Sequence, residues 1–247
     1  MNTASRNTGI ALLLFMLLYN IAKLLAGVWN NANPLPHHDT WRYSFDTFPA
    51  LLNGRIETLW AFHNEHRILW GNLLFLADKT FFGDLGYSQI VFNLIIVIGT
   101  GIVMLAWTRT SRKKVPLFLL IISALHAVSF AQAPNVYWSF QTALILSFVV
   151  PLWSIIAVGM AANGQNRNAY FFLAVALGFA AAFTSANGIA TFFVLAPLAF
   201  VLRLGWWRTV MLILCGILVL AVYFQGSEAS VISERDTDSF YTSRAFW

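Results

Sequence analysis

Two short polar runs carry residue types that could do chemistry. The first, His37-His38-Asp39-Thr40-Trp41-Arg42, sets one carboxylate among two imidazoles and a guanidinium. A carboxylate so placed can act as a general base, taking the proton of an attacking hydroxyl while its neighbours orient it. The second run is His63-Asn64-Glu65-His66-Arg67. On a helix, His63 shares a face with His66 and Arg67 at spacings of three and four, which would offer up to three donors to one anion. Either run alone is more often a set of solvated or lipid-headgroup-bound charges than a site, and finding two in one loop shifts that balance. A divalent metal held by His37, His38, Asp39, His63 and His66 is chemically feasible, but the spacing matches no strong zinc pattern, and no other cofactor is implied.

The elements that must position these runs are set by the distribution of acids. All ten Asp and Glu lie between Asp39 and Asp84 or between Glu228 and Asp238, so no carboxylate occurs from residue 85 to 227. A carboxylate at mid-bilayer costs at least ~2.5 kcal/mol, and a long acid-free stretch is what repeated crossing requires. With 59% hydrophobic and 10% charged residues and a mean hydropathy of +0.68, the chain is too apolar for one soluble core. An all-α polytopic membrane protein is expected. Its seven spans are read at residues 9–29, 86–108, 115–133, 142–162, 169–186, 188–204 and 209–225.

Arg6, Arg109, Arg112, Lys113, Lys114, Arg167, Arg203 and Arg208 all fall on one side of those spans. The positive-inside rule makes that side, and the N-terminus, cytoplasmic. The net charge of +5 thus reports topology rather than a nucleic-acid partner. The first span is read as a retained helix, because its apolar run exceeds the core of a secretory signal. Lys23, near its outer end, is placed to snorkel to the interface. Cys215 is the single cysteine and excludes an intrachain disulfide.

Both polar runs then sit outside, in the long loop of residues 30–85. There, Arg42 to Phe62 and Ile68 to Phe82 read as two amphipathic helices lying along the membrane surface. The remaining outer turns, Gln132 to Gln141 and Thr184 to Gly188, are short and polar. Trp138, Gln141 and Asn187 there could contact a sugar, although Trp138 also suits an aromatic belt. The inner turns are short, basic and featureless, and His126 in the third span is a core residue. Residues 1–226 form one module, and residues 227–247 a polar extracytoplasmic tail.

His38-Asp39-x-Trp41-Arg42, His63 to Arg67 followed by Leu73-Leu74-Phe75-Leu76-x-Asp78, Trp138-Ser139-Phe140-Gln141 and Ser185-Ala186-Asn187-Gly188 together resemble a group of bacterial multi-spanning glycosyltransferases of the GT-C type. The resemblance runs from about residue 9 to Gly226 and rests on the order of the pieces, none of which is specific alone. It implies a GT-C-like module in the inner membrane, with a catalytic base in the first outer loop, here Asp39. It implies inverting transfer of a hexosyl or pentosyl unit from a polyprenyl-phosphate donor to a glycan, lipid or protein acceptor on the periplasmic or exterior face. Arg42, His63, His66 and Arg67 would supply cationic donors to the departing lipid phosphate, and Glu65 would position a sugar hydroxyl or a histidine. Members of the group carry further spans, so the resemblance also implies a truncated form, with a partner subunit as one way of completing it. Two non-enzymatic readings stand beside this one: a transporter or flippase for lipid-linked glycans, and a protein that binds the carrier without turnover. The first calls for ionisable or broken helices at mid-membrane, of which His126, Gly99-Thr100-Gly101 and Pro151 are the few candidates.

Overall fold

The computed structural model describes residues 3–32, 40–63, 66–83, 86–110, 121–122, 125, 129–164 and 166–225. Among them the chain is helical apart from one small hairpin, and four helical stretches are long and apolar enough to cross a membrane: Thr8–Asn31, Tyr87–Met104, Ser139–Ala162 and Trp206–Tyr223. This architecture is compatible with an all-α membrane protein. The polar tail, His126 and most of the expected third span lie outside the described residues.

Helix α1 (Thr3–Asn31) is largely exposed along its length and packs through Leu24 and Val28 onto Ile90, Val97, Ala133 and Val136. After it come a helical turn α2 (Thr40–Arg42), a π-helical turn (Tyr43–Thr47), α3 (Phe48–Leu52) and a 3-10 turn (Ile56–Leu59). The expected amphipathic helix from Arg42 to Phe62 is therefore interrupted. The stop is Asn53-Gly54, where Gly54 adopts φ +79° and its amide bonds back to the Leu51 carbonyl. A hairpin, β1 (Phe62–His63) and β2 (His66–Arg67), leads into α4 (Leu69–Phe81), which agrees in extent with the second helix expected, Ile68 to Phe82.

Helix α5 (Tyr87–Thr110) is joined to α4 through a buried carboxylate. Asp78 accepts from the Gly86 amide at 2.9 Å and from the Ser88 hydroxyl, so it closes the turn that starts α5. Within α5, buried Gln89 donates to the Leu74 carbonyl at 3.3 Å and buried Asn93 to the Val136 carbonyl at 3.3 Å. These two amides tie α5 to α4 and to the short helix α6 (Ala133–Tyr137).

The main core belongs to the last four helices: α7 (Thr142–Ala162), α8 (Arg167–Ala182), α9 (Thr191–Val201, preceded by a 3-10 turn Ala186–Ala190) and α10 (Trp206–Tyr223). Small residues let them approach closely, as apolar helices in lipid require. The Phe192 ring sits where a Cβ on Gly178 would come within 2.8 Å, and its own Cβ lies 3.1 Å from one built on Gly216. Ser154 hides its hydroxyl by donating to the Ala174 carbonyl of α8 at 2.6 Å. Of the seven expected spans, the fifth and sixth are short: α8 has 16 residues, or about 24 Å, and Ala186–Val201 is comparable. The break between them falls at Thr184-Ser185, where extended backbone at Ser185 (φ −172°) interrupts the helical run. Gly188 presses directly on the backbone of Ala181, whose carbonyl a Cβ would overlap. Gly188→Ala is expected to cost about 3 kcal/mol, read as a lowered thermal unfolding midpoint, because backbone rather than a side-chain tip must move; an unchanged midpoint would show the turn to be plastic.

Candidate functional site

The hairpin decides where the second polar run points. Phe62 pairs with Arg67 and His63 with His66, so side chains alternate across the ribbon. The two histidines share one face and Arg67 lies on the other. This corrects the helical reading, in which all three shared a face. The local spacing permits a helix, but the structure ties Arg67 to residues over 150 positions away, and those contacts hold the strand geometry.

Arg67 is 3% exposed. Its Nε donates to the Tyr223 carbonyl at 2.6 Å, while its two terminal nitrogens donate to the carbonyls of Trp60 and Gln225. Its own amide donates to the Tyr223 hydroxyl at 2.9 Å. The guanidinium also lies over the rings of Phe62 at 4.0 Å and Trp60 at 5.0 Å. Carbonyls at the C-terminal end of α10 are the negative pole of that helix, so the cation there satisfies both orphan acceptors and dipole. Burial holds its pKa below the usual arginine range, as desolvation of a cation does. Arg67 therefore fastens the hairpin to α10, and its donors face protein carbonyls rather than an incoming anion.

The histidine face meets two polar turns. The His66 Nδ1 accepts from the Ala186 amide at 3.4 Å, beside exposed Asn187. Accepting at Nδ1 places the proton of neutral His66 on Nε2, which makes that atom a donor. The His63 ring lies 5.2 Å from Phe140, and Phe140 lies 5.9 Å from Trp138. Trp70 adds a bond from its indole nitrogen to the Ala180 carbonyl at 2.8 Å. Arg42 reaches the same ribbon, donating to the Phe62 carbonyl at 3.4 Å. So Arg42, His63, His66, Trp138 and Asn187 gather at one end of the helices. His37, His38, Asp39 and Glu65 lie outside the described residues.

Gln141 ends the turn that carries Phe140. It lines a groove of about 800 Å³ between α5 and α7, whose walls include Val97, Met104, Ile145, Phe148 and Leu152. Gln132 and Asn135 join it in that lining, and the Asn135 amide donates to the Gln132 side chain at 2.9 Å. A largely apolar groove with three amides in its lining suits an amphiphile better than a free sugar. Among the described residues no group of three His, Cys, Asp or Glu side chains is arranged to hold a metal.

Several residues here escaped the sequence reading. Tyr223 and Gln225 give no local signal, because their partner is distant in the chain. Phe140 was hidden within an aromatic-rich turn. Asp78 was legible as an oddity, a carboxylate in an apolar helix, and its place is to seal the α4–α5 turn. No family model, curated protein or solved structure matches the chain.

Proposed function

We propose that the chain is an integral membrane glycosyltransferase that moves a sugar from a polyprenyl-phosphate donor to a hydroxyl acceptor. The observation that carries the reading is the meeting of the His63–His66 face with the Trp138–Phe140 turn and the Ala186–Asn187 turn; a largely apolar groove lined in part by amides, Gln141 among them, offers a place for the donor's tail. The donor's tail lies in the groove between α5 and α7, and its phosphate and sugar emerge near Gln141. His66 Nε2 and Arg42 stabilise the departing phosphate by charge-assisted donation, His63 flanks it, and Asn187 and Trp138 hold the sugar. Asp39 takes the acceptor's hydroxyl proton; that oxygen bonds to the anomeric carbon as its bond to phosphate oxygen breaks, with inversion, and polyprenyl phosphate leaves with the electron pair. Glu65 positions a sugar hydroxyl. Exposed Trp41, Phe45, Leu52 and Ile56 on the same segment would seat it in the interface.

In this reading the chain crosses the inner membrane of a bacterium seven times. The site faces outward and the arginine-bearing turns inward. The test is transfer of label from a polyprenyl-phosphate sugar to an acceptor extract by the purified protein. Transfer that falls about 10-fold or more in His66→Ala is expected; absence of transfer, or transfer indifferent to His66, would defeat the assignment.

A further inference from the structure

At the end of the helices remote from the hairpin, we infer that Arg167, Arg203 and Arg208 form a binding site for a phosphate-bearing anion. This does not rest on the sugar-transfer reading. The two turns there, which precede α8 and α10, are knotted together by guanidinium groups. Arg167 donates to the Arg203 carbonyl at 2.9 Å. Arg208 donates to the Leu204 carbonyl at 2.7 Å and to the Asn168 side chain. Arg208 is 9% exposed, and the Nε atoms of both Arg208 and Arg167 are buried with no hydrogen-bond acceptor among the described residues. A buried guanidinium N–H left unsatisfied is costly, and two in one knot call for an acceptor.

Among the described residues no carboxylate lies there. No Asp or Glu occurs from residue 85 to 227, and the described carboxylates Asp46, Glu57 and Asp78 all belong to the hairpin-side segment. Two helix N-termini add to the positive field, since α8 starts at Arg167 and α10 at Trp206, neither with a side-chain cap. The backbone also takes left-handed turns at Asn166 (φ 52°) and Arg203 (φ 54°), in the two turns that the Arg167 guanidinium joins. Trp207 lies under Arg208 at 4.2 Å, and Trp206 is 73% exposed, the placement of aromatic residues at headgroup depth. The shared ligand chemistry is a phosphate oxyanion, supplied by an anionic lipid headgroup or by free phosphate.

The experiment measures the unfolding temperature of the purified full chain in two arms. One compares phosphatidylcholine nanodiscs with and without phosphatidylglycerol; the other compares inorganic phosphate with chloride in detergent at equal ionic strength. Binding at tenfold excess over Kd is expected to raise the midpoint by roughly 3 °C. A rise with phosphatidylglycerol alone identifies a lipid headgroup, and a rise in both arms identifies a site open to free anion. Arg203→Gln, which keeps the backbone bonds of the knot, is expected to lose about half of the shift, and Arg167→Gln with Arg203→Gln to lose it, with lysine at both positions restoring part. No shift in either arm, or the same shift in both glutamine variants, would overturn the assignment.

Discussion

Asp39→Asn is expected to lower sugar transfer by about 100-fold or more, with donor affinity nearly unchanged. The carboxamide has the shape of the carboxylate but cannot take a proton, and a positioned general base contributes roughly 10²–10⁴ in rate. Arg42 reaches the hairpin carbonyl of Phe62, and the His63–His66 face meets Phe140 and Ala186, so the groups proposed to hold the donor have supports of their own. A loss confined to kcat marks an interaction made only in the transition state. A loss confined to KM would instead make Asp39 a binding group, and Asp39→Glu should then fail as badly as Asn.

Arg67→Met is expected to be the most damaging single change to stability, by about 3 kcal/mol or more. The methionine fills part of the space but leaves the carbonyls of Trp60, Tyr223 and Gln225 without their shared donor. Each buried acceptor so stranded costs ~1–3 kcal/mol, tempered here because a lifted hairpin readmits water. Loss of the ring contacts with Phe62 and Trp60 adds to this. Arg67→Lys should recover only part, since an ammonium cannot serve carbonyls in a fork. Hydrogen exchange is the measurement: amides of residues 62–68 and the end of α10 are expected to lose protection together. Protection retained at both would mean that the hairpin is held by something other than Arg67.

The apolar helices are legible in the sequence where the pattern is local. The span at residues 142–162 coincides with α7, that at 9–29 falls within α1, and that at 86–108 lies in α5 but for its first residue. The helix after Ile68 was legible for the same reason, a compact apolar run. What escaped was set by distance or by a single turn. Asn53-Gly54 stops a helix that the apolar periodicity would carry on to Phe62, whereas the break at Thr184-Ser185 falls in the polar turn expected from Thr184 to Gly188. The hairpin is the clearest case: spacings of three and four fit a helix, yet the pairing of His63 with His66 and the grip of Arg67 on Tyr223 make a ribbon. The arginine turns, featureless as sequence, acquire shape because their carbonyls and guanidinium groups interlock across 36 and 40 residues.

The most direct measurement of the central claim is the release of polyprenyl phosphate from a lipid-linked sugar donor added to the purified protein in proteoliposomes, followed together with the appearance of the sugar on an acceptor. The expected result is release in proportion to protein, one sugar transferred per carrier freed with inverted anomeric configuration, and near loss of both signals in Asp39→Asn. Donor that binds the protein but is never discharged, at equal levels in the wild-type chain and Asp39→Asn, would contradict it and leave a carrier-binding protein in its place.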